Sequence, residues 1–358
     1  SPFLPKISSH FLQYLRYFLL FTVHFCDGIM KKQGKIQLLD IVPIFILAGI
    51  FIIFTVASNG ATLSSYNLKL LCTNVVPVII GSLGCIFVIA LGGTDISIGA
   101  SAALCSSIAA VISAQTAGWV AIPVTIILST ALGALIGFIV TKFHVGSFMC
   151  TLAILIAGRG LLNFMLQQSS IAAPKGISFV TSFAFTIILL IALIVIVWFV
   201  FEYTKFGFYC KCIGENERTV HSVGINVKKI RIICFMISGL MAGIIGLVQI
   251  CRVGGSTSTL CNMLEMKVQM AIFLGGILTT GGFSAKIYKL IIGSFTIVVI
   301  ENGMIILGVS SALSEAIEGI ILVAILITTV YCSKVAVNKD LKMAALADKE
   351  SVAESAAH

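Results

Sequence analysis

The stretch VTSFAFTIILLIALIVIVWFVF, residues 180–201, contains 22 residues without a charged side chain. An α-helix needs about 20 apolar residues to cross the hydrocarbon core of a bilayer, which is roughly 30 Å thick. The rest of the chain is similar, because 59% of its 358 residues are hydrophobic and only 10% are charged. A soluble domain carries roughly 25% charged residues. So few polar residues cannot cover a water-exposed surface of this size, and we infer an integral membrane protein.

Comparable apolar segments recur along the chain and predict an all-α polytopic membrane protein of about ten transmembrane helices. The predicted spans are residues 41–57, 71–91, 97–114, 119–140, 146–166, 180–201, 230–250, 268–278, 287–307 and 314–332. The eighth is too short to cross a bilayer alone and ends in a glycine-rich stretch, with Gly275 and Gly276 near its end and Gly281 and Gly282 after it. Irregular backbone is tolerated at membrane depth only inside protein or beside a water-filled cavity. We therefore expect a broken helix buried near a dimer or pore axis.

Lysine and arginine residues are distributed unevenly between the two sides of the predicted membrane domain. If the N-terminus is cytoplasmic, the external segments hold only four of them, Lys69, Lys175, Arg252 and Lys267. All the others are internal, apart from Arg159 within the fifth span. Because basic residues accumulate on the cytoplasmic side, this asymmetry predicts that both termini face the cytoplasm.

Three segments follow from these spans. Residues 1–40 form a cytoplasmic or interfacial N-terminal segment, residues 41–332 a transmembrane domain, and residues 333–358 a cytoplasmic tail. Residues 11–25 are apolar and aromatic but are interrupted by Gln13, Arg16 and His24. These interruptions favour a helix lying at the cytoplasmic interface over an extra span or a cleaved signal peptide.

Several function classes lack their usual motifs. The net charge of +9 lies in short basic clusters without interleaved aromatic residues, which indicates lipid boundaries rather than nucleic-acid binding. The 11 cysteines form no C-x-x-C pair, and the 5 histidines do not lie at metal-ligand spacing, so no metal site is predicted. The chain has no phosphate-binding G-x-x-x-x-G-K-[ST] loop, Ser/His/Asp set or H-E-x-x-H motif. We predict neither an enzyme nor a cofactor on this chain.

Ionisable residues within spans are costly and therefore indicate function. Asp95 lies between the second and third spans, where it either caps the third helix with Ser97 or contributes to a polar path. Arg159 lies deep in the fifth span and needs a partner or a water-filled cavity. Glu265 precedes the broken helix. No carboxylate or histidine relay occupies the middle of the spans, which disfavours a proton-coupled carrier.

The longest polar segment between spans, residues 201–231, is internal in this topology. It contains Asn216 as a possible helix N-cap, with Glu217 in the first turn. The segment is either a solvated loop or a docking element for a cytoplasmic partner.

Elsewhere, residues 87–93, FVIALGG, and residues 271–276, AIFLGG, resemble each other weakly, which is consistent with two related helical halves.

Five segments resemble the ribose/galactose-type permeases of ABC importers. Residues 91–100, LGGTDISIGA, are similar to the family's GGIDLSVG, and residues 146–161, GSFMCTLAILIAGRGL, to its PFIVTLGTMTIYRGL. Residues 214–227, GENERTVHSVGINV, are similar to GGNEEATRLSGINV, and the family's SGLMAGIIG begins at Ser238. Residues 274–284, LGGILTTGGFS, are similar to LGGTSLAGGKG, and residues 302–308 resemble the NNGLNLLGV region.

The resemblance implies a ten-helix body like that of the cobalamin importers. Two permeases, either identical or paralogous, would pair around a central path. Two ABC ATPase subunits would bind the cytoplasmic loops and hydrolyse Mg-ATP, while a solute-binding protein would deliver the solute from outside. The protein would lie in the bacterial cytoplasmic membrane, with lipid around it and no nucleic acid bound.

The resemblance also implies roles for individual residues. Those coupled to the ATPase would be Gly214, Glu215, Asn216, Glu217, Arg218, Thr219, His221 and Gly224. Those of the translocation path and its gates would be Gly92, Gly93, Thr94, Asp95, Ser97, Asn163, Glu265, Gly275 and Gly276. Structural roles would fall to Arg159, Gly281 and Gly282. Further candidates for the path lining are the polar residues Ser82, Ser101 and Gln167.

This sequence departs from the family pattern at several positions, namely Cys212, Thr219, Val220, His221, Thr279, Thr280, Phe283 and Glu301. The departures bear on the substrate and on pairing with a second permease. A small sugar-like solute is the leading prediction, with a nucleoside, an autoinducer or a branched-chain amino acid as alternatives. The alternative hypotheses from other functional classes are a secondary carrier, a facilitative channel and a receptor. The 201–231 segment disfavours the first two, because they need no ATPase-docking loop.

Overall fold

The computed structural model describes residues 42–277, 281–310, 313–320 and 323, and these residues include α-helices but no β-strand. The chain divides into two compact units. Residues 43–308 form the helical body. The other unit combines residues 1–42 with 309–358, and it is helical at 313–320. The predicted N-terminal segment, the tail and most of the tenth span lie outside the described residues.

The α-helices follow one another through short connections. In chain order they are α1 (Val42–Ala57), α2 (Ser65–Ala90), α3 (Ile98–Gln115), α4 (Ala121–Phe143), α5 (Ser147–Gln168), α6 (Phe183–Tyr203), α7 (Lys205–Glu215), α8 (Glu217–Ser222), α9 (Val227–Val253), α10 (Leu264–Leu274) and α11 (Ile287–Ile306).

Seven helices among the described residues are long and apolar enough to cross a membrane: α2, α3, α4 with its preceding turn, α5, α6, α9 and α11. Each overlaps a predicted span. Helix α1 is apolar but shorter, at 16 residues. The chain is therefore a multi-pass membrane protein whose described part is helical, as predicted.

Helix α10 has 11 residues and ends at Leu274, directly before Gly275. A helix of this length spans about 16 Å, roughly half of the hydrocarbon core. The predicted short helix is present, but it lies four residues earlier than the predicted 268–278, so that both Gly275 and Gly276 follow it. The helix packs against α2, α3 and α11, and most of its side chains are buried.

The second helix begins six residues before the predicted span at 71. The side chain of Ser64 caps it by accepting a hydrogen bond from the backbone N–H of Asn67 at 3.3 Å. The charged Lys69 suggested a later start, but a helix continues beyond the hydrocarbon core when a capping residue satisfies its first N–H groups.

Helix α9 is the centre of the body and packs against α3, α4 and α2. Its closest neighbour is α4, because Gly239 and Gly133 lie where the two backbones cross. A Cβ on Gly239 would overlap the carbonyl oxygen of Ser129 and lie 3.1 Å from the Cα of Gly133. Membrane helices gain little from the hydrophobic effect when they associate, so close backbone packing at small residues provides much of their attraction.

Helices α5 and α6 form an apolar exterior. Only 22% of the most apolar part of each is buried, compared with 83% for α2. Large side chains such as Ile156, Ile188 and Phe199 are more than half exposed. Such a surface suits lipid or a second membrane subunit.

Candidate translocation path and docking elements

Asp95 is buried, with 3% of its surface exposed, and it joins three parts of the body. One carboxylate oxygen, Oδ1, accepts hydrogen bonds from the backbone N–H of Ser97 at 2.9 Å and from its hydroxyl at 2.7 Å. The other, Oδ2, accepts from the hydroxyl of Ser238 on α9 at 2.6 Å. Gln269 on α10 donates to the backbone carbonyl of Asp95 at 3.0 Å. The three bonds from Ser97 and Ser238 replace the water that the carboxylate lacks.

The predicted local pairing of Asp95 with Ser97 at the start of α3 is therefore present. Helix α3 begins at Ile98, one residue after Ser97. The contact with Ser238 was not predicted, and it makes Asp95 a link between α3 and α9 rather than a cap alone. Both Asp95 and Ser97 face protein atoms in this conformation.

The turn before Asp95 contacts the beginning of α5. Gly92 adopts a positive φ of 76° after the end of α2. The backbone N–H of Thr94 donates to the hydroxyl of Ser147 at 3.1 Å, and Gly93 lies beside the same hydroxyl. The predicted path residues of this turn are thus held against the first residue of α5.

Arg159 extends from α5 to the loop that precedes α10. Its two terminal nitrogens donate to the carbonyl oxygens of Leu260 and Cys261, at 2.7 and 2.6 Å. Glu265, which is 4% exposed, lies 3.7 Å from the guanidinium. The partner that the sequence required for Arg159 is therefore a pair of backbone carbonyls together with a carboxylate.

Glu265 fits into the body because α3 carries a glycine opposite it. A Cβ on Gly99 would overlap Oε2 of Glu265. That oxygen is buried and accepts no hydrogen bond from the residues described. A carboxylate oxygen of this kind is costly, and it marks the surroundings of α10 as a place where a further donor can bind.

Other predicted lining residues divide into two groups. Ser82 on α2 and Ser101 on α3 are buried, and neither hydroxyl has a hydrogen-bond partner within the described part of the chain. Asn163 and Gln167 lie instead on the exposed face of α5. The helices that carry Ser82 and Ser101, α2 and α3, pack against α10, whereas the two amides lie on the outer surface of the body.

Gly275 and Gly276 end α10 beside α11. A Cβ on Gly275 would overlap the carbonyl oxygen of Lys289, and Gly276 has a positive φ of 75°. The glycines turn the chain away from the helix at a point where the neighbouring backbone leaves no room for a side chain.

At the other predicted site, α7 ends in a tight junction with α2 and with residues 281–284. A Cβ on Gly214 would overlap the carbonyl oxygen of Ala90, the last residue of α2. The carboxylate of Glu215 accepts a hydrogen bond from the backbone N–H of Phe283 at 3.0 Å. Gly281 lies against the end of α2, and Gly282 against Glu215. Residues predicted for coupling and for structure thus meet in one place.

The predicted short helix after this junction is confirmed as α8. The side chain of Asn216 caps it by accepting from the backbone N–H of Thr219 at 3.1 Å. Glu217 in its first turn pairs with Arg231 of α9 at 2.8 Å. Val220 is buried, whereas the predicted coupling residues from Glu215 to Thr219, together with His221 and Gly224, are exposed. The helix therefore presents a polar, solvent-facing surface.

Comparison with known proteins identifies the family. The model of the family described as branched-chain amino acid transport system, permease component, matches residues 67–326, more than half of the chain. The chain belongs to this permease family. The permease matches no solved structure.

Sugar permeases are among its relatives. The permease is 28% identical over 236 residues to the ribose import permease of Escherichia coli strain K12, covering 61% of this chain and 71% of that protein. It is 29% identical over 324 residues to the ribose import permease of Bacillus subtilis strain 168, covering 85% and 94%. It is 28% identical over 204 residues to the L-arabinose transport system permease of Escherichia coli strain K12, covering 55% and 62%.

Sequence reasoning did not assign roles to three polar residues of the permease. Ser238 and Gln269 bind Asp95, and Ser147 binds the turn at Thr94. Serine is common in membrane helices, so its presence alone is a weak signal. Glu301, which departs from the family pattern, pairs with Lys267 at 2.6 Å. The available signal for that pair was the opposite charge of Lys267 on the same predicted side of the membrane, just before the short eighth segment.

Proposed function

We propose that this chain is the membrane-spanning subunit of a bacterial ABC importer that translocates a small sugar, with a pentose as the leading substrate. The observation that carries the proposal is the similarity to a ribose import permease over 85% of the chain. A second subunit would hydrolyse ATP, a solute-binding protein would deliver the sugar, and a second permease would complete the path.

The polar groups around α10 support a hydroxyl-bearing solute. Helices α2, α3 and α10 each contribute a buried oxygen without a hydrogen-bond partner in the described chain, on Ser82, Ser101 and Glu265. The two charged groups here, Arg159 and Glu265, already engage carbonyls or each other. A zwitterionic amino acid needs charged partners of its own, whereas a sugar needs hydroxyl and amide partners. This favours a sugar over a branched-chain amino acid.

The junction at Glu215 supports coupling to an ATPase through α8. It fixes the base of the helix to the end of α2 and to Phe283, while the helix itself remains exposed. A partner that closes on α8 would therefore move the end of α2 together with the segment that leads into α11. Switching between outward and inward access by such rigid movements is a common transport mechanism.

The proposal includes the finer topology. The body would have ten spans and resemble the cobalamin importers, with both termini in the cytoplasm of a cell whose inner membrane holds the protein. The family match supports it, because it extends through residues 314–326 of the predicted tenth span. The distribution of basic residues supports the orientation.

Coupling is tested by the double variant Glu217→Ala/Arg218→Ala. We expect ATP-dependent uptake of the transported sugar to fall at least tenfold while the amount of protein in the membrane is unchanged. The reason is that both side chains lie on the exposed surface of α8, and the ion pair of Glu217 with Arg231 holds α8 in place rather than joining one membrane helix to another. Uptake is measured in vesicles that contain the complex captured with the tagged chain from mild-detergent membranes.

Lys175→Ala, an exposed basic residue on the opposite side in the predicted topology, is the matched control and should leave uptake unchanged. Normal uptake by the double variant would contradict the coupling role of α8. If no ATPase is captured and uptake proceeds without ATP, a carrier or channel replaces the importer. Competition by unlabelled ribose, arabinose, galactose, uridine or leucine then identifies the substrate class.

A further inference from the structure

The loop that joins α9 to α10, residues 254–263, is attached to the body along its first half. The backbone N–H of Ser256 donates to the carbonyl of Ile171 at 2.8 Å, and that of Ala173 donates to the carbonyl of Gly254 at 3.1 Å. The hydroxyls of Ser107 and Ser256 lie 2.6 Å apart. This half is thus tied to α3 and to the segment after α5.

The second half of the loop depends on two different anchors. The side chain of Leu260 is buried in an apolar cluster with Leu162 and Ile250. Its carbonyl and that of Cys261 accept the two hydrogen bonds from Arg159. The guanidinium is 16% exposed, so water competes weakly for these carbonyls. Charge-assisted bonds of this length are among the strong hydrogen bonds of proteins.

The backbone in the second half of the loop is strained. Cys261 and Met263 have φ angles of 52° and 58°, a left-handed conformation that residues other than glycine rarely adopt. Such residues persist only where surrounding contacts determine their conformation, and they concentrate at functional sites and switches. Release of the two carbonyls would therefore favour movement of this segment.

Glu265 keeps the guanidinium in place without replacing its bonds to the loop. The carboxylate lies 3.7 Å from Arg159 and makes no hydrogen bond to it. Both terminal nitrogens of Arg159 are instead directed at the carbonyls. At the other end of the loop, Gly254 has a φ of 85° and is followed by a second glycine, which permits a hinge.

We propose that Arg159 is a latch that holds the loop of residues 254–263 as the outer gate of the translocation path. The proposal rests on the importer function and topology above, in which this loop faces outside and must close while the path is open inward. Arg159 is a positioning residue here, because it acts on the solute only through the loop that it holds.

A native cysteine reports on the gate. Cys261 carries one of the two carbonyls bound by Arg159, and burial raises the pKa of its thiol to about 12. Because the thiolate is the reacting form, alkylation of Cys261 is slow while the loop is closed. The experiment measures the rate at which a membrane-impermeant maleimide modifies Cys261 in spheroplasts that express the full chain, with the modified peptide identified by mass spectrometry.

We expect Arg159→Gln to raise this rate at least tenfold, because a neutral amide cannot hold both carbonyls and the released loop exposes the thiol to water. This exposure outweighs the loss of the positive charge on Arg159, which lowers the pKa of Cys261 in the wild type. Arg159→Lys should give an intermediate rate, since it retains the charge but loses the two-pronged geometry. The lysine variant also tests the latch if the glutamine variant does not accumulate in the membrane. The exposed Gln168→Ala on the same helix should have no effect.

A second cysteine separates a gate from general loosening. Cys72 lies near the N-terminal end of α2 on the same predicted side of the membrane and is partly buried. Its rate should not change in the Arg159 variants. An unchanged Cys261 rate in Arg159→Gln, or a parallel increase at Cys72, would overturn the latch. Since labelling requires neither solute nor ATPase, failure of the latch is distinguishable from failure of the importer function.

Discussion

At the residue scale, the interior of this permease is distinguished by charges that are satisfied from several directions. Asp95 receives three hydrogen bonds on its carboxylate, two of them from its own turn and one from α9. Arg159 donates to two carbonyls of a separate loop. A buried charge away from water is stable only when such partners surround it, so each of these residues also determines where its partners lie.

The bond between Ser238 and Asp95 gives a prediction at this scale. Ser238→Ala removes a hydrogen bond to a buried carboxylate, and we expect a loss of about 1.5–3 kcal/mol in the free energy of unfolding. The measurement is the thermal unfolding midpoint of the purified protein in detergent. Ser106→Ala is the matched control, because the one bond of this buried hydroxyl among the described residues goes to a carbonyl of its own helix. Equal midpoints for the two variants would contradict a linking role for Asp95.

At the element scale, the position of α9 depends on the absence of side chains where it crosses α4. Glycines on both helices allow a backbone approach that no larger residue permits. The short helices are determined differently. Helix α8 has six residues, and Asn216 caps its first turn. A helix this short is marginal by itself, so its cap and the ion pair of Glu217 with Arg231 hold it in place.

Gly239→Ala tests the crossing of α4 and α9. Its Cβ would overlap the carbonyl oxygen of Ser129, which is backbone and cannot rotate away, so the helices must separate. We expect a loss of about 1–3 kcal/mol in stability, as for other overpacked interiors. The measurement is the fraction of monodisperse protein that survives heating. Gly146→Ala, at a position with open space around it, should behave as the wild type; similar losses in both variants would argue against close packing at the crossing.

At the scale of the whole molecule, the two proposed sites lie in separate parts of the body. The junction of Gly214, Glu215 and Phe283 lies where α2 ends, and the loop held by Arg159 lies where α9 ends. The helices between them are continuous spans that pack on one another. In the proposed topology a movement at the cytoplasmic junction can reach the outer loop only through these packed helices.

The topology itself is tested by two cysteines on opposite sides. Tyr66→Cys and Val223→Cys replace side chains that are 80% and 74% exposed. An impermeant maleimide should label position 66 in intact spheroplasts and position 223 only after permeabilisation, because the basic residues predict that α8 is cytoplasmic. The matched exposure of the two positions excludes accessibility as the cause of a difference. The reverse labelling pattern would invert the topology.

Local features of the chain were predictable because they depend on residues close together in sequence. The apolar lengths of α3, α5, α6 and α11 and the short α10 followed from hydrophobic runs and glycines. The cap at Asn216 followed from its side chain and the residues after it. Ser64 was missed because the first two turns of α2 carry polar residues outside the apolar run.

The apolar runs and the family motifs are enough to show that this chain is a helical membrane protein of a known permease family, and where most of its spans lie. The contacts between distant residues came from the folded chain: Asp95 meets Ser238, 143 residues away, and Arg159 holds Leu260, 101 residues away. The fold also shows that α2 is central and α6 peripheral, although both are strongly apolar. This division arises because lipid is as apolar as a protein core. Hydrophobicity therefore shows which segments enter the membrane, while packing determines which faces meet inside it.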